Sequence, residues 1–209
     1  MLFRSGAVAD RVIAVDPGRL FAAAAGGACI VEDDWSPPAG GFDLCVAVGT
    51  LDSVNDVPRA LAGLRRSLRP DSLLIGAVSG GDTLPRLRQA MHAADQVTGV
   101  ASPHVHPRLE GPTLAAQLGA AGLVMPVVDV DRVHVSYRSF DRLIGDLRRM
   151  GASNILHGRS RQPLSRGARN AAAQAFAATG NGLATKEIFE LLHFAAWTAP
   201  SPSAAGDHG

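Results

Sequence analysis

The chain has 209 residues, which is enough for one domain with a substantial core. Lys and Arg number 20 against 19 for Asp and Glu, so the net charge of +1 gives no field that would attract nucleic acid or an anionic membrane. Because the first residues lack a signal-peptide core and no uncharged apolar run reaches ~20 residues, we predict a cytoplasmic protein without a membrane span.

Short apolar strands alternate with helices through the first half of the chain. A β-branched run over 11–16 ends at Asp16, and an apolar run over 42–48 is typical of a parallel strand with both faces covered. Asp56 is a candidate cap for a helix that ends before Pro70. Further predicted elements are a helix over 19–25 and strands over 28–31 and 73–78. This alternation predicts the α/β class, with right-handed crossovers and a doubly wound sheet.

In the second half of the chain the sequence pattern indicates more helical than strand residues. The predicted helices are 82–96, 113–121, 143–150 and 168–178, and the strand-like runs are 126–130, 132–137 and 187–197. We predict one domain over 1–200, with a helical insertion over 139–182 before the last strand. The small polar residues 201–209 predict a disordered tail.

Several strings occur in one order from about Val12 to Pro200. The weakly specific strings are Phe42–Leu44, Val54–Pro58 and Leu68–Asp71, and the more specific ones are Gly80–Leu84, Ser102–Val105, Pro126–Asp129, Asp146–Ala152 and Ala184–Trp197. The first set resembles class I methyltransferases near the malonyl-carrier-protein methyltransferase group. The second set resembles the bacterial relatives of the complex I assembly methyltransferase-like factor.

This resemblance implies a seven-stranded Rossmann-like sheet with a reversed last strand and a helical lid before that strand. It also implies that S-adenosylmethionine is the cofactor, bound at the carboxyl ends of the early strands. On that template Asp16 accepts hydrogen bonds from the ribose hydroxyls, and Asp33 meets the adenine amino group. Val48, Gly49 and Thr50 line the methyl side of the pocket. No catalytic residue is assigned.

The chain departs from the family pattern ahead of Asp16. In this superfamily a first strand and a glycine-rich turn precede that position, and the turn receives the methionine carboxylate. Here fifteen residues precede Asp16, and Gly6 is the sole glycine among them. We therefore expect the first strand and the glycine-rich loop to be missing, and the strand ending at Asp16 to slide against the strand over 42–48. The alternative is a natural start upstream of Met1, which would restore the loop.

The resemblance to the methyltransferase family and the expected loss of the glycine-rich loop together leave two candidate functions. The first is a methyltransferase-like protein with lost or impaired cofactor binding, which acts as a binding or assembly factor for a respiratory-complex subunit. The second is an active S-adenosylmethionine-dependent methyltransferase or arginine-modifying enzyme. Open sheet edges also make a homodimer an expected form of the protein.

Two groups of residues have alternative interpretations. Six arginines over 148–169 form either a solvated surface or a docking surface for an acidic protein partner. His104 and His106 lie two apart between prolines, a spacing that suits a metal but is more typical of loop residues. We predict no metal site, and we expect Cys29 and Cys45 to be buried reduced thiols.

Overall fold

A computed structural model describes residues 11–30, 34–152, 154–156 and 158–201. The strands are β1 (Val15–Asp16), β2 (Ala28–Cys29), β3 (Phe42–Val48), β4 (Leu68–Ser79), β5 (Leu123–Tyr137) and β6 (Thr185–Thr198). The helices are α1 (Arg19–Ala24), α2 (Val57–Ser67), α3 (Pro85–Thr98), α4 (Gly111–Ala120), α5 (Phe140–Arg149) and α6 (Arg166–Ala178). The predicted α/β class is confirmed.

The main sheet has four strands in the order β3-β4-β6-β5. β3 and β4 are parallel, whereas β6 runs antiparallel to both β4 and β5. The predicted reversal of the last strand is therefore confirmed. β1 and β2 form a separate parallel pair, so the described residues make two sheets rather than one continuous seven-stranded sheet.

The predicted closure of the sheet by β1 and β3 is wrong. Within the described ranges β3 pairs only with β4, and β1 pairs only with β2. The backbone of β1 is already used by β2, since the amides of Ala28 and Ile30 donate to the carbonyls of Ala14 and Asp16 at 3.0 and 3.2 Å. β1 is also regular over only two residues, which is too few for a stable hydrogen-bonded pairing with β3. A gap therefore separates the two sheets.

Two buried clusters stabilise the main sheet. The first joins the helices α2 and α4 to one face of the sheet, where Leu61 and Leu114 contact a cluster that includes Leu74 and Phe194. The second joins α3, α5 and α6, and its aromatic centre is an edge-to-face pair of Phe140 and Phe176 with centroids 6.0 Å apart. Both clusters are apolar, so hydrophobic burial dominates their contribution to stability.

Several predicted boundaries differ from the observed ones. Of the strand predicted over 11–16, only Val15–Asp16 forms a β-strand. The two strands predicted over 126–137 are parts of one strand, β5. The predicted strand over 28–31 is β2, although residue 31 lies outside the described residues. Helices α5 and α6 fall within the predicted insertion, whose role as a lid stays a prediction. The predicted tail lies outside the described residues from 202 onward.

The helix α3 begins at Pro85, three residues later than predicted, because its cap comes from another part of the chain. Leu84 precedes the helix with φ of 61° and no side-chain cap of its own. The carboxyl group of Glu187 on β6 is fully buried and accepts hydrogen bonds from the amides of Arg86 and Leu87 at 3.2 and 2.8 Å. Two of the unpaired amides of a helix start are thereby satisfied.

We expect Glu187→Gln to lower the free energy of unfolding by about 1–2 kcal/mol, because the amide nitrogen would face an N–H donor where a carboxyl oxygen now accepts. The measurement is urea unfolding followed by circular dichroism. Glu110→Gln is the matched control, since Glu110 is exposed, and its effect should stay within about 0.5 kcal/mol. Equal effects of the two substitutions would contradict the capping role of Glu187.

Candidate functional site

A cavity of about 300 Å³ occupies the gap between β1 and β3. One wall is the segment Ile13–Asp16, and the other is β3 with Thr50 directly beyond it. Asp16 is the last residue of β1 and Val48 the last residue of β3, so the cavity reaches the carboxyl ends of both strands. Ligands of open α/β sheets bind at such strand ends.

The structure brings three of the five predicted cofactor residues together. Asp16, Val48 and Thr50 all line the cavity. Gly49 lies between Val48 and Thr50 but not on the wall, and Asp33 lies outside the described residues. The ligand of these residues stays a prediction.

Asp16 is held in place by the turn that follows β1. Its Oδ1 accepts a hydrogen bond from the amide of Gly18 at 2.6 Å, and the residue is half-buried. An aspartate that receives an amide two residues on is typical of a turn. The carboxylate is therefore oriented by its own backbone, with one of its two oxygens engaged in the turn.

The turn after β3 ties the end of that strand to β4. Gly49 has φ of 72°, a conformation that favours glycine, and its amide donates to the carbonyl of Ala77 at 2.9 Å. Asp52 ends the following 3-10 turn, where its Oδ1 accepts from the amide of Ser79 at 3.0 Å. The same oxygen pairs with the guanidinium of Arg108. These contacts fix the loop that carries Thr50.

Asp52, His106 and Arg108 form a polar cluster that the sequence analysis did not identify. The paired side chains of Asp52 and Arg108 are only 24% and 14% exposed, and Nε of Arg108 is buried without a partner among the described residues. Burial, followed by the charge of Arg108, lowers the pKa of His106, so its imidazole is neutral at pH 7. No motif marks this cluster, because Asp52 and Arg108 lie far apart in the sequence.

The two proline-flanked histidines have different partners. Nε2 of His104 lies 2.8 Å from Oδ1 of Asp95, whereas Nε2 of His106 accepts from the amide of Ile155 at 3.2 Å. Within the part of the chain that the structure describes, no group of three or more His, Cys, Asp or Glu residues could hold a metal ion. In the same ranges no helix is long and apolar enough to cross a membrane.

Comparison with known proteins identifies relatives over part of the chain, although no family model matches it. The arginine-hydroxylase NDUFAF5, mitochondrial, of Rattus norvegicus is 39% identical over 127 residues, which are 60% of this chain and 37% of that protein. The malonyl-[acyl-carrier protein] O-methyltransferase of Xylella fastidiosa is 34% identical over 152 residues, 72% of this chain and 50% of that protein. These similarities support a class I methyltransferase-like family for the chain, near NDUFAF5.

The chain spans half or less of the length of these two relatives. Among solved structures, the YcgJ protein of Bacillus subtilis aligns over 90% of this chain and 82% of its own, with a TM-score of 0.52 at 12% identity. At that identity the likeness shows the fold alone. The predicted Rossmann-like fold is thus confirmed, and the curated relatives confirm the predicted resemblance to class I methyltransferases.

Cys45 on β3 provides a chemical probe of the cavity wall, because burial raises the pKa of its thiol to about 11. At pH 8 this pKa leaves about 0.1% thiolate, the form that reacts. Cys29 is exposed and Cys45 is half-buried, so the prediction of two fully buried thiols is wrong. We expect iodoacetamide to modify Cys29 at least about 100-fold faster than Cys45, and the Cys45 rate to rise about tenfold from pH 8 to pH 9.

Mass spectrometry of the alkylated peptides measures both rates. Cys29→Ser should leave only the slow reaction, and Cys45→Ser should leave only the fast one. Similar rates at the two thiols would contradict the buried environment of Cys45.

Proposed function

We propose that this protein is a methyltransferase-like binding factor with impaired affinity for S-adenosylmethionine, which acts through a protein partner. The open cavity between β1 and β3 carries this proposal. Six residues of β3 line it, and three of them, Leu44, Val46 and Val48, remain 46%, 52% and 70% exposed. Because ligand pockets usually bury 70–90% of a small ligand, a cofactor in this cavity would keep an unusually large contact with water.

The charge of the lining supports the same conclusion. Asp16 is the one charged side chain among the described residues of the cavity wall, which includes no Lys or Arg. It suits the ribose hydroxyls of S-adenosylmethionine, since a carboxylate accepts hydrogen bonds from a diol. The methionine carboxylate, in contrast, would find no cationic side chain among the described residues of this wall. We infer that the described residues provide the nucleoside half of a cofactor site.

The second candidate function is an active methyltransferase or arginine-modifying enzyme. The polar cluster beside the cavity favours it, because Asp52 follows Thr50 on the same turn and His106 is a neutral imidazole. A neutral histidine can accept a proton from an acceptor substrate once its Nε2 is released from the amide of Ile155. The relatives named for malonyl-carrier-protein methylation and arginine hydroxylation are consistent with either kind of chemistry.

The partner that we propose is a subunit or assembly factor of respiratory complex I, and the proposed location is the cytoplasm. The arginines over 148–169 are the surface that we propose for an acidic partner. Two of them already have carboxylate partners within the chain, because Arg149 pairs with Asp146 and Arg169 lies 2.8 Å from Asp141. Exposed pairs of this kind contribute little stability, so a partner's carboxylates can replace them.

Isothermal titration calorimetry of the full chain with S-adenosylmethionine tests the proposed loss of affinity. We expect no saturable heat, which corresponds to a dissociation constant weaker than about 1 mM. A dissociation constant in the micromolar range would contradict the proposal and favour the active enzyme.

A second titration tests the ribose contact of Asp16. At millimolar cofactor, saturation-transfer NMR should detect weak contact with the nucleoside, and Asp16→Ala should weaken it about 5- to 30-fold through loss of a charged acceptor. Asp43→Ala is the matched control, because the Asp43 carboxylate is exposed, pairs with Arg69, and lies at the amino end of β3, off the cavity wall. Equal affinity of the Asp16 and Asp43 variants would refute the contact.

A further inference from the structure

The loop between α3 and α4, residues 99–110, is anchored near both of its ends. Nε2 of His104 lies 2.8 Å from Oδ1 of Asp95 on α3, and these two side chains are only 18% and 14% exposed. Towards the other end of the loop, Leu109 forms a parallel bridge with Gly80, which directly follows β4. The middle of the loop is therefore held in a defined position beside the end of β4.

The chain between α5 and α6 is joined to the middle of this loop by three hydrogen bonds between described residues. The donors and acceptors are Asn154 Nδ2 and the Pro103 carbonyl at 2.7 Å, the Ile155 amide and His106 Nε2 at 3.2 Å, and the Ser160 amide and Ser102 Oγ at 3.2 Å. A carbonyl and a hydroxyl accept equally well on either side of neutral pH. The imidazole of His106 does not, because its charge changes in that range. One of the three contacts is therefore sensitive to protons.

The hydrogen bond from the amide of Ile155 requires the neutral form of His106. A neutral imidazole accepts at one ring nitrogen, whereas an imidazolium donates at both and accepts at neither. Burial and the charge of Arg108 lower the pKa of His106, so the accepting form predominates at pH 7. Uptake of a proton from water places a second donor opposite the Ile155 amide, and the contact is lost.

Asp52 provides the protonated ring with an alternative partner. Its carboxylate favours the imidazolium of His106, whereas the charge of Arg108 disfavours it. Oδ1 of Asp52 already accepts from the amide of Ser79 and from Arg108, but no described residue donates to its Oδ2. An acceptor for the imidazolium is therefore available on the turn after β3.

The other charged groups of the neighbouring elements are engaged elsewhere. Arg88 on α3 donates to two carbonyls of the turn after β4, and Arg159 donates to a carbonyl of its own segment at 2.9 Å. The second histidine of the loop, His104, is paired with a carboxylate of α3. Among the carboxylates of these elements, Asp52 is the one whose charge acts on His106.

We propose that His106 is a proton-operated switch between two parts of the fold. In its neutral form it fastens the chain after α5 to the α3–α4 loop through Ile155, and in its protonated form it releases Ile155 and pairs with Asp52. Because Asp52 ends the turn that carries Thr50, the change would reach the cavity. That last step rests on the proposed function of the cavity, whereas the switch itself does not.

Solution NMR of the full chain without cofactor tests the switch over a pH titration. We expect the ring signal of His106 and the amide signal of Ile155 to shift with one common midpoint, below the ordinary pKa of histidine. Protection of the Ile155 amide from hydrogen exchange, corrected for the intrinsic pH dependence of exchange, should fall at least about tenfold across that midpoint.

Two variants separate the switch from a merely structural contact. His106→Gln keeps a side-chain oxygen that can accept from Ile155 but cannot take up a proton, so the pH dependence should vanish while the amide stays protected. Asp52→Asn should move the midpoint to lower pH, because the carboxylate favours the imidazolium. His92→Gln is the matched control, since His92 is exposed on α3 and contacts Gln96, and it should leave the Ile155 midpoint unchanged.

All variants are compared in a His157→Gln background, because that histidine is close to Ile155 in the sequence and lies outside the described residues. An Ile155 amide that stays protected while His106 titrates would overturn the proposal. PH dependence that persists in His106→Gln, a midpoint that Asp52→Asn leaves unchanged, or a shift of the midpoint by His92→Gln would also overturn it. None of these outcomes bears on cofactor affinity, which the calorimetry measures separately.

Discussion

The antiparallel strand β6 is the constraint on which the described structure depends. It separates β4 from β5, pairing with β5 from Thr185 to Thr198 and with β4 from Leu191 to Trp197. Its polar side chains also fix the neighbouring loops: Glu187 caps α3, and Thr198 accepts from the amide of Ser72 at 2.9 Å. Glu190 and Thr83 exchange backbone and hydroxyl hydrogen bonds at 2.9 and 3.0 Å. Because these groups are buried, each unpaired partner would destabilise the fold.

The opposite edge of the sheet has no comparable constraint. There β3 has one strand partner in the described ranges, and the small β1–β2 pair lies across a cavity from it. Leu44, Val46 and Val48 on this strand line the cavity and remain 46%, 52% and 70% exposed. The proposed weak affinity for the cofactor therefore depends on how far the apolar surface of β3 is buried.

Local features of the fold could be predicted from the sequence, whereas distant pairings could not. The run over 42–48 gives β3 with the predicted bounds, and Asp56 accepts from the amide of Arg59 at 2.9 Å as a helix cap should. The cap of α3 could not be predicted, because Glu187 lies about a hundred residues beyond that helix. The pairing of Asp52 with Arg108 was missed for the same reason, and the gap beside β3 depends on strand pairing that periodicity does not encode.

The central claim is that β3 presents a free edge and that the full chain holds S-adenosylmethionine weakly there. Amide hydrogen exchange, measured residue by residue by NMR with and without millimolar S-adenosylmethionine, tests it most directly. The account predicts slow exchange for the β3 amides that bond to β4, fast exchange for the alternate amides, and the same pattern after the cofactor is added. Protection of every β3 amide in either sample would contradict it.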